Sequence, residues 1–289
     1  MNFKYKNIQK ITISFVSLFT AIICVIFMYL LFLYQPTKIN HGLSAKIEKS
    51  AELGGKIEKS GKAIIPEAKA ESLAQSNKNV YLPILLYHKT PADFEEQIKI
   101  LVSRGYTTVT MSEATDILKG SVRSPTKPIA ITFDDGFKDQ FMAFDILKKY
   151  NLKATSYIIV GSQNSGWCLG VEKKSTNCGD DYMNWNDIKK LKEYYNVEIG
   201  SHTMDHFQLS SLNESAQRYQ IIESKKILED KLGIIINSFA YPYGKYNQTT
   251  KKLLVEAGYT NATTVNASYY QNAQNIFDLS RIRKTNDLP

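Results

Sequence analysis

Short apolar runs recur through residues 80–289 and alternate with segments whose apolar residues fall at helical spacing. The runs at 83–87, 107–110, 129–133, 154–160, 197–201, 234–241, 259–265 and 279–284 read as strands, bounded by Gly, Pro, Asn or Asp. Between them, 93–104 places Phe94, Ile98, Leu101 and Val102 on one helical face, and Gly105 stops it. Ser112 reads as the cap of a helix that contains 113–118. Further helices are expected at 137–150, 186–195, 213–232 and 248–257. About seven strands alternating with helices predict a parallel α/β architecture rather than a sandwich.

The first 79 residues pattern differently. Residues 11–34 hold no charged side chain, and at about 1.5 Å per residue they reach across a bilayer core of about 30 Å. Lys4, Lys6 and Lys10 precede this stretch, so residues 1–10 are expected in the cytoplasm and everything after Tyr34 outside. A cleaved signal peptide is the competing reading, but its apolar region is normally shorter and followed by small residues. The run here ends in Leu33-Tyr-Gln-Pro36, which favours an uncleaved transmembrane signal-anchor helix at 11–34. Residues 35–79 repeat Lys-Ile-Glu-Lys-Ser at 46–50 and 56–60 with little apolar content, the composition of a flexible extracytoplasmic linker. One domain at 80–289 remains.

Charge is unevenly spread. The net charge of +8 comes mostly from residues 1–79, with 11 Lys/Arg against 5 Asp/Glu; residues 80–289 carry 25 against 23. No basic stripe or nucleic-acid motif accompanies it, which argues against nucleic-acid binding. Of three cysteines, Cys24 lies in the apolar span. Cys168 and Cys178 are ten apart, too far for the short spacing of structural zinc sites, and an oxidising compartment permits a disulfide between them.

The chemistry gathers at two places. The run 129–133 ends in Asp134, Asp135 and Gly136; adjacent strand side chains point oppositely, so the pair shares a site only if the chain turns there, as Gly136 permits. The run 197–201 leads into His202 and His206, whose i, i+4 spacing puts two imidazoles on one face of a helical turn. Taken singly, an Asp pair is commonly a solvated turn and an HxxxH pair is commonly packing or surface. Together, one carboxylate and two of the chain's four histidines make an open three-ligand site of the catalytic-zinc kind, with a second carboxylate left as base.

Thr132-Phe-Asp-Asp-Gly136 and Ser201-His-Thr-Met-Asp-His206 resemble the first two signature motifs of the polysaccharide deacetylases, carbohydrate esterase family four. Pro83-Ile-Leu-Leu-Tyr-His88, Lys153-Ala-Thr-Ser-Tyr157, Met183-Asn-Trp185 and Phe239-Ala-Tyr-Pro-Tyr-Gly244 extend the resemblance over residues 80–289. It implies a distorted (β/α) barrel with its site at the C-terminal ends of the strands. It further implies Asp134 as general base and a divalent ion, zinc or else cobalt or nickel, on Asp135, His202 and His206. The Pro242–Tyr243 turn is implied as substrate or oxyanion contact. The reaction implied is removal of N-acetyl groups from a cell-envelope polysaccharide of N-acetylglucosamine; O-acetyl hydrolysis and a decayed sugar-binding module are the alternatives.

Two departures stand out. Family members draw the general acid from a later histidine, whereas none follows His206 here. His88 takes its place as candidate, either as the acid or as a substrate-orienting group, because extracellular poly-N-acetylglucosamine deacetylases carry a similar Tyr-His. The family's base-orienting arginine corresponds to Ala240, leaving Arg281 or Arg283 to substitute.

Overall fold

A computed structural model of the chain describes residues 78–163, 181–283 and 288. The expected anchor at 11–34, nearly all of the linker, and both Cys168 and Cys178 lie outside the described residues. Among the described residues no helix is long and apolar enough to cross a membrane.

In chain order, β1 (Val80–Tyr81) and β2 (Ile84–Tyr87) lead to α1 (Phe94–Ser103). Then come β3 (Thr107–Val109), α2 (Met111–Leu118), β4 (Pro128–Phe133), α3 (Gln140–Lys149) and β5 (Thr155–Ile158). After residue 180 follow α4 (Trp185–Glu193), β6 (Glu198–Ser201) and α5 (Glu214–Arg218). A π-helical turn (Tyr219–Glu223) joins α5 to α6 (Ser224–Leu232). β7 (Ser238–Ala240), α7 (Gln248–Glu256), β8 (Asn261–Thr263) and β9 (Tyr270–Gln271) complete the order. Strands β2, β4, β5, β6, β7 and β8 pair in parallel in that order, and β3 pairs with the first half of β4. β1 and β9 form a separate antiparallel ribbon that the apolar pattern did not reveal.

Every residue of β2, β4 and β5 is buried, which is why these strands read as continuous apolar runs rather than alternating ones. The two edges of the sheet are bridged. Leu279 pairs in parallel with Thr263 of β8, and Ile282 pairs with Leu85 of β2. This parallel arrangement fits a (β/α) barrel with fewer than eight complete units.

The structure corrects several expected boundaries. The strand at 279–284 is reduced to those two bridges, because Ser280 N–H goes to the Gln271 side chain and Arg281 N–H to the Asn266 carbonyl. The strand at 234–241 shrinks to β7. Gly233 ends α6 at φ 61°, Ile236 N–H is taken by Glu229, and Ile235 is 76% exposed. α2 is capped by Thr110 in a reciprocal box with Glu113, while Ser112 donates backbone and hydroxyl hydrogens to Glu198. α3 begins at Gln140 rather than 137, since Asp135 and Gly136 both adopt positive φ and Phe137 pairs with Tyr182.

Because the strands are parallel, their C-terminal ends share one side, where sites in such folds are built. His88 follows β2, the Asp134–Asp135 pair follows β4, His202 follows β6, and Tyr243 follows β7.

Candidate active site

Asp134 continues β4 by one residue, its N–H donating to the Tyr87 carbonyl at 2.9 Å. The chain then turns through Asp135 (φ 73°) and Gly136 (φ 79°). A left-handed Asp costs roughly 1–2 kcal/mol, and it is what allows two adjacent carboxylates to face one site. The positive φ of Gly136 is what favours glycine there; a Cβ would in addition lie 3.0 Å from Ile158 Cδ1, the movable end of a side chain.

Arg281 is fully buried and meets Asp134 with two parallel hydrogen bonds, Nη1 to Oδ1 and Nη2 to Oδ2, each 2.7 Å. Its Nε donates to the Thr264 carbonyl at 2.8 Å and its Nη1 also to Thr132 Oγ1 at 3.2 Å. Of the two candidate arginines, then, Arg281 reaches the carboxylate. Arg283 is exposed; two positions further along, its charge acts on His88 instead.

His202 and His206 come together without the helical turn expected of their spacing. Residues 202–206 form an irregular loop with Thr203 at φ 72° and His206 at φ 60°. His202 Nδ1 lies 2.8 Å from the Ala240 carbonyl, which can only accept, so Nδ1 holds the proton and Nε2 is free to ligate. Both Nε2 atoms stand 3.5 Å from Asp135 Oδ1, and the three ligand atoms lie within 4.8 Å of one another.

These residues fit a divalent cation. A separation of 3.5 Å is long for a hydrogen bond, yet close to the roughly 3.3 Å that two ligands about 2.0–2.1 Å from a tetrahedral ion keep between them. Among the described residues, Asp135 Oδ1 is buried with no hydrogen-bond partner.

Electrostatics divide the two carboxylates. Burial works to raise Asp134, but Arg281, with His202 and His88, outweighs it and holds the carboxyl down at about 2. Burial and then the charge of Asp134 push Asp135 up to about 7, against the smaller pull of Arg281. Burial lowers His202 to about 4 and, aided by His202, lowers His206 to about 3. Both imidazoles are therefore held in the neutral form, the one able to ligate a cation.

His88 is half-buried, and burial lowers its pKa against the opposing charge of Asp134. Pro242 is buried and starts a short 3-10 turn in which Tyr243 takes φ 58°. The Tyr243 ring is 54% exposed and stands edge-on to His206, with centroids 4.7 Å apart. A Cβ on Gly244 would meet Val265 N at 2.9 Å, so the chain turns tightly there. The other aromatics pack: Tyr241 donates to the Phe277 carbonyl and stacks on Tyr246, and Trp185 lies against the core.

Sequence reasoning missed Gln140. Fully buried at the start of α3, its Nε2 donates to both the His88 carbonyl (2.6 Å) and the Asp134 carbonyl (2.7 Å), tying the ends of β2 and β4 together. A polar residue on the inward face of a helix just after Asp134 and Asp135 was the available signal.

Comparison with known proteins agrees with this geometry. The polysaccharide deacetylase family profile matches residues 121–262. YxkH of Bacillus subtilis, a protein assigned to that family, is 30% identical over 72% of this chain and 73% of its own length. The poly-beta-1,6-N-acetyl-D-glucosamine N-deacetylase of Staphylococcus aureus is 31% identical over 60% of this chain; the match spans 59% of that enzyme, less than two thirds of its length. Among solved structures, the Streptococcus pyogenes deacetylase PplD in complex with acetate superposes with a TM-score of 0.62 at 26% identity, covering 72% of this chain and 93% of that one. The match to YxkH over more than two thirds of both chains, together with the family profile, shows that the chain belongs to the polysaccharide deacetylase family.

Proposed function

We propose that the chain is a divalent-metal-dependent hydrolase that removes N-acetyl groups from an N-acetylglucosamine polysaccharide of the cell envelope. The observation that carries this is Asp134, held by two hydrogen bonds from Arg281, beside the buried Asp135, His202 and His206 cluster. A bound cation, most simply zinc, would supply Lewis-acid polarisation of the acetamide carbonyl and acidify the attacking water. Asp134 takes the proton of that water, and its bidentate pairing leaves it little freedom to misalign. His88 donates a proton to the leaving amine. Tyr243, set in the turn that Pro242 begins, offers its backbone N–H to the developing oxyanion, and its exposed ring offers a face to the sugar.

The staphylococcal relative and the Tyr87-His88 ending of β2 favour poly-N-acetylglucosamine over peptidoglycan as substrate. The uncharged span at 11–34, after three lysines, supports a cell-membrane anchor with the catalytic domain on the outer side. The lack of any histidine after His206 favours a second reading, a sugar-binding module that has lost activity. Arg281 speaks against it, since the arginine missing at Ala240 is replaced in space.

Acetate release separates these readings. The purified chain should release acetate from β-1,6-linked N-acetylglucosamine oligomers, stop with chelator, and resume with added zinc or cobalt. Faster release from O-acetylated xylan would make it an esterase, and sugar binding without release under any metal would make it the inactive module.

A further inference from the structure

The loop that carries both histidines is strained. Thr203, a β-branched residue, sits at φ 72° and His206 at φ 60°, conformations that persist only when surroundings impose them. One side is held by the end of β5, where Val160 N–H and Gly161 N–H donate to the Thr203 and Met204 carbonyls at 3.0 and 2.6 Å. Within the loop Ser201 Oγ accepts from Thr203 N–H at 3.3 Å and Thr203 Oγ1 from His206 N–H at 3.0 Å, and the other side is held by Gln220. Its Oε1 accepts from Asp205 N–H at 2.9 Å, and its Nε2 donates to Asp205 Oδ2 at 2.8 Å.

Gln220 lies in the π-helical turn Tyr219–Glu223, the one break in an otherwise α-helical stretch from Glu214 to Leu232. Such widened turns are uncommon and are frequently found at functional sites. Side chains accommodate this one: Ser224 Oγ and the Tyr259 hydroxyl both donate to the Ile221 carbonyl, and Ser224 Oγ also meets Ser201 Oγ at 2.8 Å. The first residue of α6, directly after the π turn, thus meets the root of the histidine loop at Ser201, and the π turn itself meets the loop at Asp205.

We propose that Gln220, aimed by the π turn, is the positioning residue that holds His206 within reach of a cation shared with Asp135 and His202. The inference rests on the metal-dependent reading above. Gln220 touches neither the ligand atoms nor the substrate; it fixes the backbone one residue before His206. Losing it relaxes the loop from its strained form and draws His206 Nε2 away from Asp135.

The test is zinc and cobalt affinity of the full chain, measured by competition with a chromophoric chelator, for wild type, Gln220→Leu and Asn213→Ala. Asn213 caps the same helical stretch, with its Oδ1 accepting from Ala216 N–H, but lies outside the loop contacts. Gln220→Leu should weaken metal binding about 10-fold to 100-fold, the usual effect of losing a group that orients a ligand. Asn213→Ala, with a comparable loss of unfolding stability, should leave affinity within about 2-fold. Asp205→Asn, which keeps an acceptor for Gln220 Nε2, should stay near wild type. Equal affinity in wild type and a folded Gln220→Leu, or an equal drop in Asn213→Ala, overturns the proposal. A wild-type chain that binds neither metal overturns the metal-dependent reading itself.

Discussion

Arg281 and Asp134, 147 residues apart in sequence, are joined by two parallel 2.7 Å hydrogen bonds with both side chains buried. Removing one partner leaves an uncompensated buried charge. Arg281→Ala should cost about 3–5 kcal/mol of unfolding free energy, read by denaturant titration. The double variant Arg281→Ala with Asp134→Asn should recover a substantial part of that loss. Equal stability of the single and double variants would show that the guanidinium is held by packing and not by the pair.

The same pair makes a prediction about acid. Asp134 falls from 3.8 to about 2 on folding, so the stability it contributes is complete above pH 4 and lost as pH drops toward 2. Acid unfolding of the metal-free protein should steepen in that window, and Asp134→Asn should flatten it.

Asp135 behaves in the opposite sense. Its folded value of about 7 lies above its ordinary 3.8, so folding favours its protonated form. That contribution is complete below pH 4 and lost as pH rises through 7. Asp135→Asn should therefore raise the melting temperature of the metal-free protein at pH 8 by a few degrees, and should remove stabilisation by added zinc. Metal binding should release about one proton per chain at pH 6, because His202 and His206 have already lost theirs there while Asp135 still carries its own.

Gly200 in β6 tests the packing beneath the site. A Cβ there would lie 2.4 Å from the Tyr157 ring and 2.9 Å from the Ser238 carbonyl. Gly200→Ala should destabilise by about 1–3 kcal/mol, measured by thermal unfolding, and shift β6 enough to weaken metal binding at His202.

His88 separates proton donation from ligation. His88→Gln should lower kcat by about 100-fold or more while leaving zinc affinity within about 2-fold. A comparable loss of zinc affinity would place His88 among the ligands.

The strands and the two charged motifs were legible because each depends on local signals: apolar runs long enough to bury both faces, and chemistry placed at their ends. Asp135 turned as Gly136 suggested. The histidine loop was misread as helical because i, i+4 spacing serves equally well for a turn through two left-handed residues, and nothing in Thr203 announces φ 72°. The choice of Arg281 over Arg283 was beyond local pattern, since it depends on how 279–282 crosses from β8 to β2. Gln140 and Gln220 were invisible for a related reason. Each acts through backbone groups of a distant loop, and a glutamine on an inward helix face carries no mark of its partner.

The central claim, that Asp134 is a base beside a metal held by its neighbour, is tested by measuring bound metal and acetate release on the same preparations. Asp134→Asn should keep about one zinc per chain and lose acetate release from N-acetylglucosamine oligomers by about 100-fold or more, whereas Asp135→Asn should lose both. Asp134→Asn that keeps its metal and still releases acetate at the wild-type rate would contradict the account.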